Sequence, residues 1–196
     1  MPNYRLVTAP ATEPLTLNEV KLFLRVDDTT EDDLITSLIT AARGLVEGHT
    51  WMPLISQIWA MQFDKDELNL LVWNINKAPL ISVSSITYYD SDNNIQTLAA
   101  SSYEVDIYGS PARFRIKTMP SVYDRMNALQ LNFVCGYANA AAVPQPIKQA
   151  LYMIIGHLYE NRQDVITGTQ VNEIPMASEY LLQPYRNNFI YAPMNG

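Results

Sequence analysis

The chain has 196 residues, 48% of them hydrophobic, with 13 Lys and Arg against 20 Asp and Glu, a formal net charge of −7 and a single cysteine. That length suits one domain of ordinary size with its own core. No apolar run approaches the ~20 residues of a membrane-spanning helix, one Cys allows neither an internal disulfide nor a Cys-based zinc site, and few cations are available to grip phosphates.

The opening MPNYRLVTAPATEPLTL has one Arg and lacks the apolar stretch of a secretory signal, so a soluble protein of cytoplasmic origin is expected. The first helix is predicted from Leu17 to Arg25. Thr16 is its N-cap, Glu19 completes a capping box, and Leu15 with Val20 forms a hydrophobic staple. The acidic run DDTTEDD lacks the glycine and closing Glu of a calcium loop. Its Thr30 and Asp33 instead predict the start of a second helix, Glu31 to about Gly48, with Leu34, Ile35, Leu38, Ala41, Ala42, Leu45 and Val46 on its buried stripe. His49 falls at its end as a polar terminal residue.

From Trp51 to Tyr137 the pattern changes to strands: ISQIWAMQFD, LNLLVW, SSITYYD and, after the turn SDNN, IQTL. In YEVDIYGSPARFRIK two alternating segments flank a loop over Tyr108 to Pro111. One register satisfies both faces, with Asp106 opposite Arg113, Val105 opposite Phe114 and Glu104 opposite Arg115. ALQLNFVCGY is a further strand with Leu129, Leu131, Phe133 and Cys135 on one face, the Cys acting as a small apolar residue.

ANAAAVPQP is a loop, after which Pro146 suits the first turn of a third helix with Ile147, Leu151, Ile154, Ile155 and Leu158 on one stripe. Leu151, Ile154 and Leu158 are expected to share a core with Leu38. His157 and Glu160 lie three apart on this helix, but a zinc helix of the H-E-x-x-H kind carries two His, and the only other His is His49. QDVITGTQVNEIP follows as a connection. MASEYLLQPY is a short helix cut by Pro184, and RNNFIYAPMNG is a tail whose Phe189, Ile190 and Tyr191 have no partner face within their own element.

The fold class expected is α+β, with a β-rich insertion between the second and third main helices. It forms a single domain over 1–196, with N-terminal helices over 15–50, the insertion over 51–137, C-terminal helices over 144–185 and an extended tail over 186–196. No phosphate-binding glycine motif, nucleophile elbow or Cys and His cluster is present, so no catalytic residue, metal or cofactor is expected. Two alternatives remain: a small metal-dependent hydrolase using His157, Glu160 and His49, and a DNA-packaging accessory factor that binds through the Arg113, Arg115 and Lys117 strand.

The ordered set LTLNEVKLFLRVDD, AARGLVEGHTWMPLISQIW, APLISVSSITYYDSDNNIQTL and FVCGYANAAAVPQPIKQALYMIIGHLYENRQDV resembles the head-tail connector (head-completion adaptor) family of tailed bacteriophages, from about Leu15 to about Arg186. HTWMPL departs from that pattern, carrying Trp51 where relatives have a Thr-Gly turn. The resemblance implies a non-enzymatic virion protein at the head-tail junction, made in the host bacterial cytoplasm. It further implies a helical bundle with a β-rich insertion and a ring of about a dozen subunits beneath the portal protein. Such a ring extends the DNA channel without specific DNA binding, attaches a neck or tail-completion protein, and touches no membrane. On this view Phe189, Ile190 and Tyr191 are candidates for portal docking, and Tyr159, Glu160, Asn161 and Arg162 for helix-end contacts within the fold or between neighbouring subunits.

Overall fold

The computed structural model describes residues 2–69, 72–161 and 176–187, and among these residues eight strands and four helices follow one another. They form two compact units. One consists of residues 2–11 and 56–138, and the other of 12–55, 139–161 and 176–187.

The first unit is all β with short 3-10 turns. Its strands are β1 (Asn3–Thr8), β2 (Gln57–Phe63), β3 (Trp73–Ile75), β4 (Leu80–Tyr89), β5 (Ile95–Thr97), β6 (Tyr103–Asp106), β7 (Ala112–Ile116) and β8 (Leu129–Cys135). They make a five-stranded antiparallel sheet of order β1-β2-β8-β4-β5 and a three-stranded antiparallel sheet of order β3-β7-β6. The strand residues that alternate inward are apolar. Met61 and Phe63, Ile86, and Leu129, Leu131, Phe133 and Cys135 of the large sheet share one core with Trp73, Phe114 and Ile116 of the small one. Phe63, Trp73 and Phe114 form its aromatic centre, with ring centroids 5.1 to 5.9 Å apart. The hairpin register is the one expected, Glu104 facing Arg115, Val105 facing Phe114 and Asp106 facing Arg113. LNLLVW is only partly a strand: its start lies in a 3-10 turn, Lys65–Asn69, and pairing begins at Trp73.

β1 has no counterpart among the expected strands. It pairs with β2, and Tyr4 anchors it: the phenol oxygen accepts from Asn76 N at 3.1 Å while the ring stands edge-on to Phe133 at 6.4 Å. Burial pushes this phenol up to about 12.

The second unit is helical. Thr16 caps α1 (Leu17–Leu24) through the expected box, its hydroxyl accepting from Glu19 N at 3.3 Å and the Glu19 carboxylate accepting from Thr16 N at 2.7 Å. The staple pair Leu15 and Val20 is buried. α2 (Asp32–Thr50) starts after a turn in which Asp28 accepts from both the backbone and the hydroxyl of Thr30. Thr30 therefore does not cap α2; Glu31 holds the N-cap position, and Lys21 ties the acidic turn to α1 through Asp28 O and Asp32 Oδ1, both at 2.6 Å. The buried stripe of α2 is Ile35, Ile39, Ala42, Val46 and Thr50, while Leu45 is exposed. Ile39 was missing from the expected stripe because Leu38 looked equally apolar beside it, and Thr50 because it is polar and lies past the expected end near Gly48; Ala41, expected on the stripe, is exposed. At the departure HTWMPL, Trp51 takes φ 59°, the left-handed conformation for which glycine is favoured.

α3 (Gln145–Glu160) packs against α2 and buries Ile147, Ala150, Leu151, Ile154 and Ile155, with Leu158 and Leu38 only half-buried. α4 (Met176–Leu182) packs on α3, and a 3-10 turn through Pro184 ends it. Asn187 N then donates to Thr50 O at 2.9 Å. Arg43 clamps the unit. Its guanidinium reaches Glu13 at 2.8 Å and Glu47 at 3.1 Å, and Glu47 also accepts from Leu54 N at 2.7 Å, so one cation joins the segments before and after α2.

A helical bundle with an inserted β region is thus not the fold. The chain is sheet-rich: its β strands make two antiparallel sheets with a core of their own, and the N-terminal residues 3–8 supply one edge of the larger sheet. Among the described residues α1 ends where Arg25 adopts φ 59° and α4 ends at Pro184, and α2 and α3 are the helices of bundle-like length.

Leu151 is 1% exposed, so Leu151→Ala should lower unfolding free energy by about 2 to 5 kcal/mol in urea titrations. Tyr4→Phe should cost about 1 kcal/mol through the lost acceptor for Asn76 N. Because the folded phenol pKa is raised above its usual 10.0 to about 12, the contribution of Tyr4 is complete below pH 10 and is lost as pH rises through that interval; the Phe variant should lack this component of alkaline destabilisation.

Candidate interaction surfaces

The C-terminal turn of α3 holds the His and Glu that first suggested chemistry. Asn161 closes the helix, with its backbone N and its Nδ2 both donating to His157 O, at 3.0 and 2.9 Å, and Nδ2 also lies 3.3 Å from the His157 ring. Tyr159 donates its hydroxyl to the Glu31 carboxylate at the start of α2, a bond between neighbouring helices. Glu160 is exposed. Of the helix-end set, then, Tyr159 and Asn161 make contacts within the chain, and Arg162 lies outside the described residues. His49 is elsewhere, at the end of α2 beside Met176, Glu179, Tyr180, Gln183 and Arg186. Among the described residues no group of three or more His, Cys, Asp or Glu side chains is placed to hold a metal ion.

The basic strand β7 is neutralised by its neighbour. Arg113 bonds Asp106 at 2.6 Å, Arg115 bonds Glu104 at 2.5 Å, and Lys117 lies 3.3 Å from the same Glu104. These pairs occupy the solvent face because β6 and β7 alternate, with Phe114 and Ile116 turned into the core. The Arg115 and Lys117 hydrogen bonds hold the Glu104 carboxyl below its ordinary 4.5, and the Arg113 bond, aided by the Gly109 N–H, holds Asp106 below 3.8. Both carboxylates are depressed, so their support of the hairpin is complete above pH 4.5 and is lost as pH falls through the lowered values. Arg115→Gln should move the Glu104 titration midpoint upward in NMR carboxyl titrations and leave that of Asp106 nearly in place.

Exposed apolar side chains mark the remaining surfaces. Tyr108 at the hairpin tip is 94% exposed and Leu22 on α1 is 82% exposed. Leu22 was legible in principle: two residues after the buried Val20, it stands about 200° around the helix, on the opposite face. Beside it Phe23 rests on Tyr152 of α3, with ring centroids 5.1 Å apart, where Gly156 leaves room for the ring. Tyr108 gave no such signal, since a loop tip has no period. The proposed docking residues Phe189, Ile190 and Tyr191 lie outside the described residues.

The similarities to known proteins agree with one another. A family described as "head completion protein" matches residues 13–187. No curated protein sequence matches the chain. Among solved structures, a chain from the "neck of empty GTA particle computed with C6 symmetry" superposes with a TM-score of 0.77 at 21% identity, covering 99% of this chain and 98% of that one. One from the "virion of native gene transfer agent (GTA) particle" gives 0.78 at 21%, covering 98% of each. A third, from the "neck of native GTA particle computed with C12 symmetry", gives 0.74 at 20%, covering 100% and 98%. At these identities the solved chains establish a shared fold, end to end; the family match, which spans nearly the whole sequence, establishes kinship, and this chain belongs to the head completion protein family.

Proposed function

We propose that the chain is a structural subunit of the head-tail junction of a phage-type particle. The observation that carries this reading is the head completion match over residues 13–187. Several copies form a ring beneath the portal, extend the DNA channel and present the surface on which the neck or tail-completion protein attaches. The ring is supported by the similar solved chains, which come from particle necks computed with C6 and C12 symmetry. A smooth conduit is supported by charge. The net of −7 repels DNA phosphates, and both arginines of β7 are paired with carboxylates of β6, Lys117 just beyond the strand sharing Glu104 with Arg115. No helix among the described residues is long and apolar enough to cross a membrane. The segment containing Phe189, Ile190 and Tyr191 provides portal docking through aromatic anchors.

The native mass of the purified chain, alone and mixed with portal rings from the same particle, tests the reading. A ring, or a stable complex with the portal, is the expected result. Removal of residues 188–196 should abolish portal binding. A full chain that stays monomeric and ignores the portal overturns the proposal.

A further inference from the structure

The β6–β7 tip is built to hold its side chains still. Asp106 Oδ1 accepts from Tyr108 N and Gly109 N, both at 3.1 Å, and Asp106 Oδ2 takes the Arg113 bond at 2.6 Å. The loop folds so tightly that a Cβ on Gly109 would lie 2.9 Å from Pro111 O. On this fixed loop stand Tyr108, almost wholly in solvent, and the half-exposed Ile107. An aromatic side chain presented on an ordered scaffold loses little conformational freedom when a partner covers it, and Tyr is enriched among interface residues whose truncation costs most. Nucleic acid is a poor occupant for this tip, because the cations of β7 are already engaged by Asp106 and Glu104.

The helical unit carries a recess of complementary character. His49 at the end of α2, Met176, Glu179 and Tyr180 of α4, and Gln183 and Arg186 beyond it surround about 200 Å³. That is below the ~300 Å³ at which small-molecule sites begin, and is on the scale of a single side chain. Met176 and Tyr180, one turn apart on α4, are 59% and 69% exposed and supply an adaptable apolar wall. Glu179, His49 and Arg186 supply polar partners for a phenol hydroxyl at the rim.

We propose that the Ile107–Tyr108 tip of one copy seats in the His49–Met176–Tyr180 recess of the next copy, a head-to-tail contact that builds the ring. The inference rests on the ring reading above and adds the surfaces that form it. A protruding tip and a recess are different patches of one chain, so their pairing is heterologous, the kind of contact that generates closed rings when the rotation between copies closes.

The test uses the full chain, alone or on portal rings, whichever supports assembly of the unmodified protein. Tyr108→Ala removes the tip and Gln183→Trp plugs the recess; both positions are exposed, and thermal melts check that each variant is folded. Each variant alone should self-associate at least about tenfold more weakly in sedimentation or native mass measurements. An equimolar mixture should form pairs and stop there, since the one intact tip meets the one intact recess and no further contact remains. Tyr108→Ala assembling like the unmodified chain, or a mixture no better than either variant alone, overturns the contact while leaving the ring standing. An unmodified chain that assembles neither alone nor on the portal removes the ring itself and this contact with it.

Discussion

Strand β8 is hydrogen-bonded along both edges, to β2 on one side and β4 on the other, and the β unit depends on that double ladder. Without it, β1–β2 and β4–β5 would be separate two-stranded ribbons, which are marginal in water. Its inward residues Leu129, Leu131, Phe133 and Cys135 are all buried, so the same seven residues supply both the pairing edges and a share of the core. β4 accommodates β8 through two register shifts, between Leu80 and Ser82 and between Val83 and Ser85, which let a ten-residue strand follow a seven-residue one.

The helical unit relies on a different device, a cation placed among carboxylates. Burial opposes the charge of Arg43, and the hydrogen bonds and charges of Glu13 and Glu47 outweigh that effect. Since Glu47 also receives Leu54 N, the geometry of the chain leaving α2 is coupled to that of the chain entering α1. Lys21 does the same on a smaller scale between α1 and the acidic turn before α2. The tie at Lys21 matters because α1, with eight residues, is too short to be stable without tertiary support.

A member of the head completion family works through surfaces. Polar side chains at the helix ends and on the hairpin hold the fold: Tyr159 bonds Glu31 at the start of α2, Asn161 closes α3, and Glu104 and Asp106 hold a hairpin in register. Among the described residues, large apolar side chains stand exposed on ordered elements, Tyr108 on the hairpin tip, Leu22 on α1, Met176 and Tyr180 on α4. Exposed apolar groups on ordered elements are the features from which an assembly is made.

The sequence by itself determined the local elements. The capping box at Thr16, the proline boundaries of α3 and α4, and the period-two alternation of β6, β7 and β8 each depend on interactions within a few residues, and the β6–β7 register followed from charges that face one another across a short loop. The ordered motifs also carried the family. Tertiary structure decided which strands pair and what belongs to the sheet. Nothing within NYRLVT announces that it will lie against Gln57–Phe63, because the ladder joins backbone groups some fifty residues apart and edge strands carry little inward pattern: five of the six β1 residues are exposed. For the same reason the strands read as an insertion among helices. Periodicity reports that a face is buried and is silent about the partner that buries it.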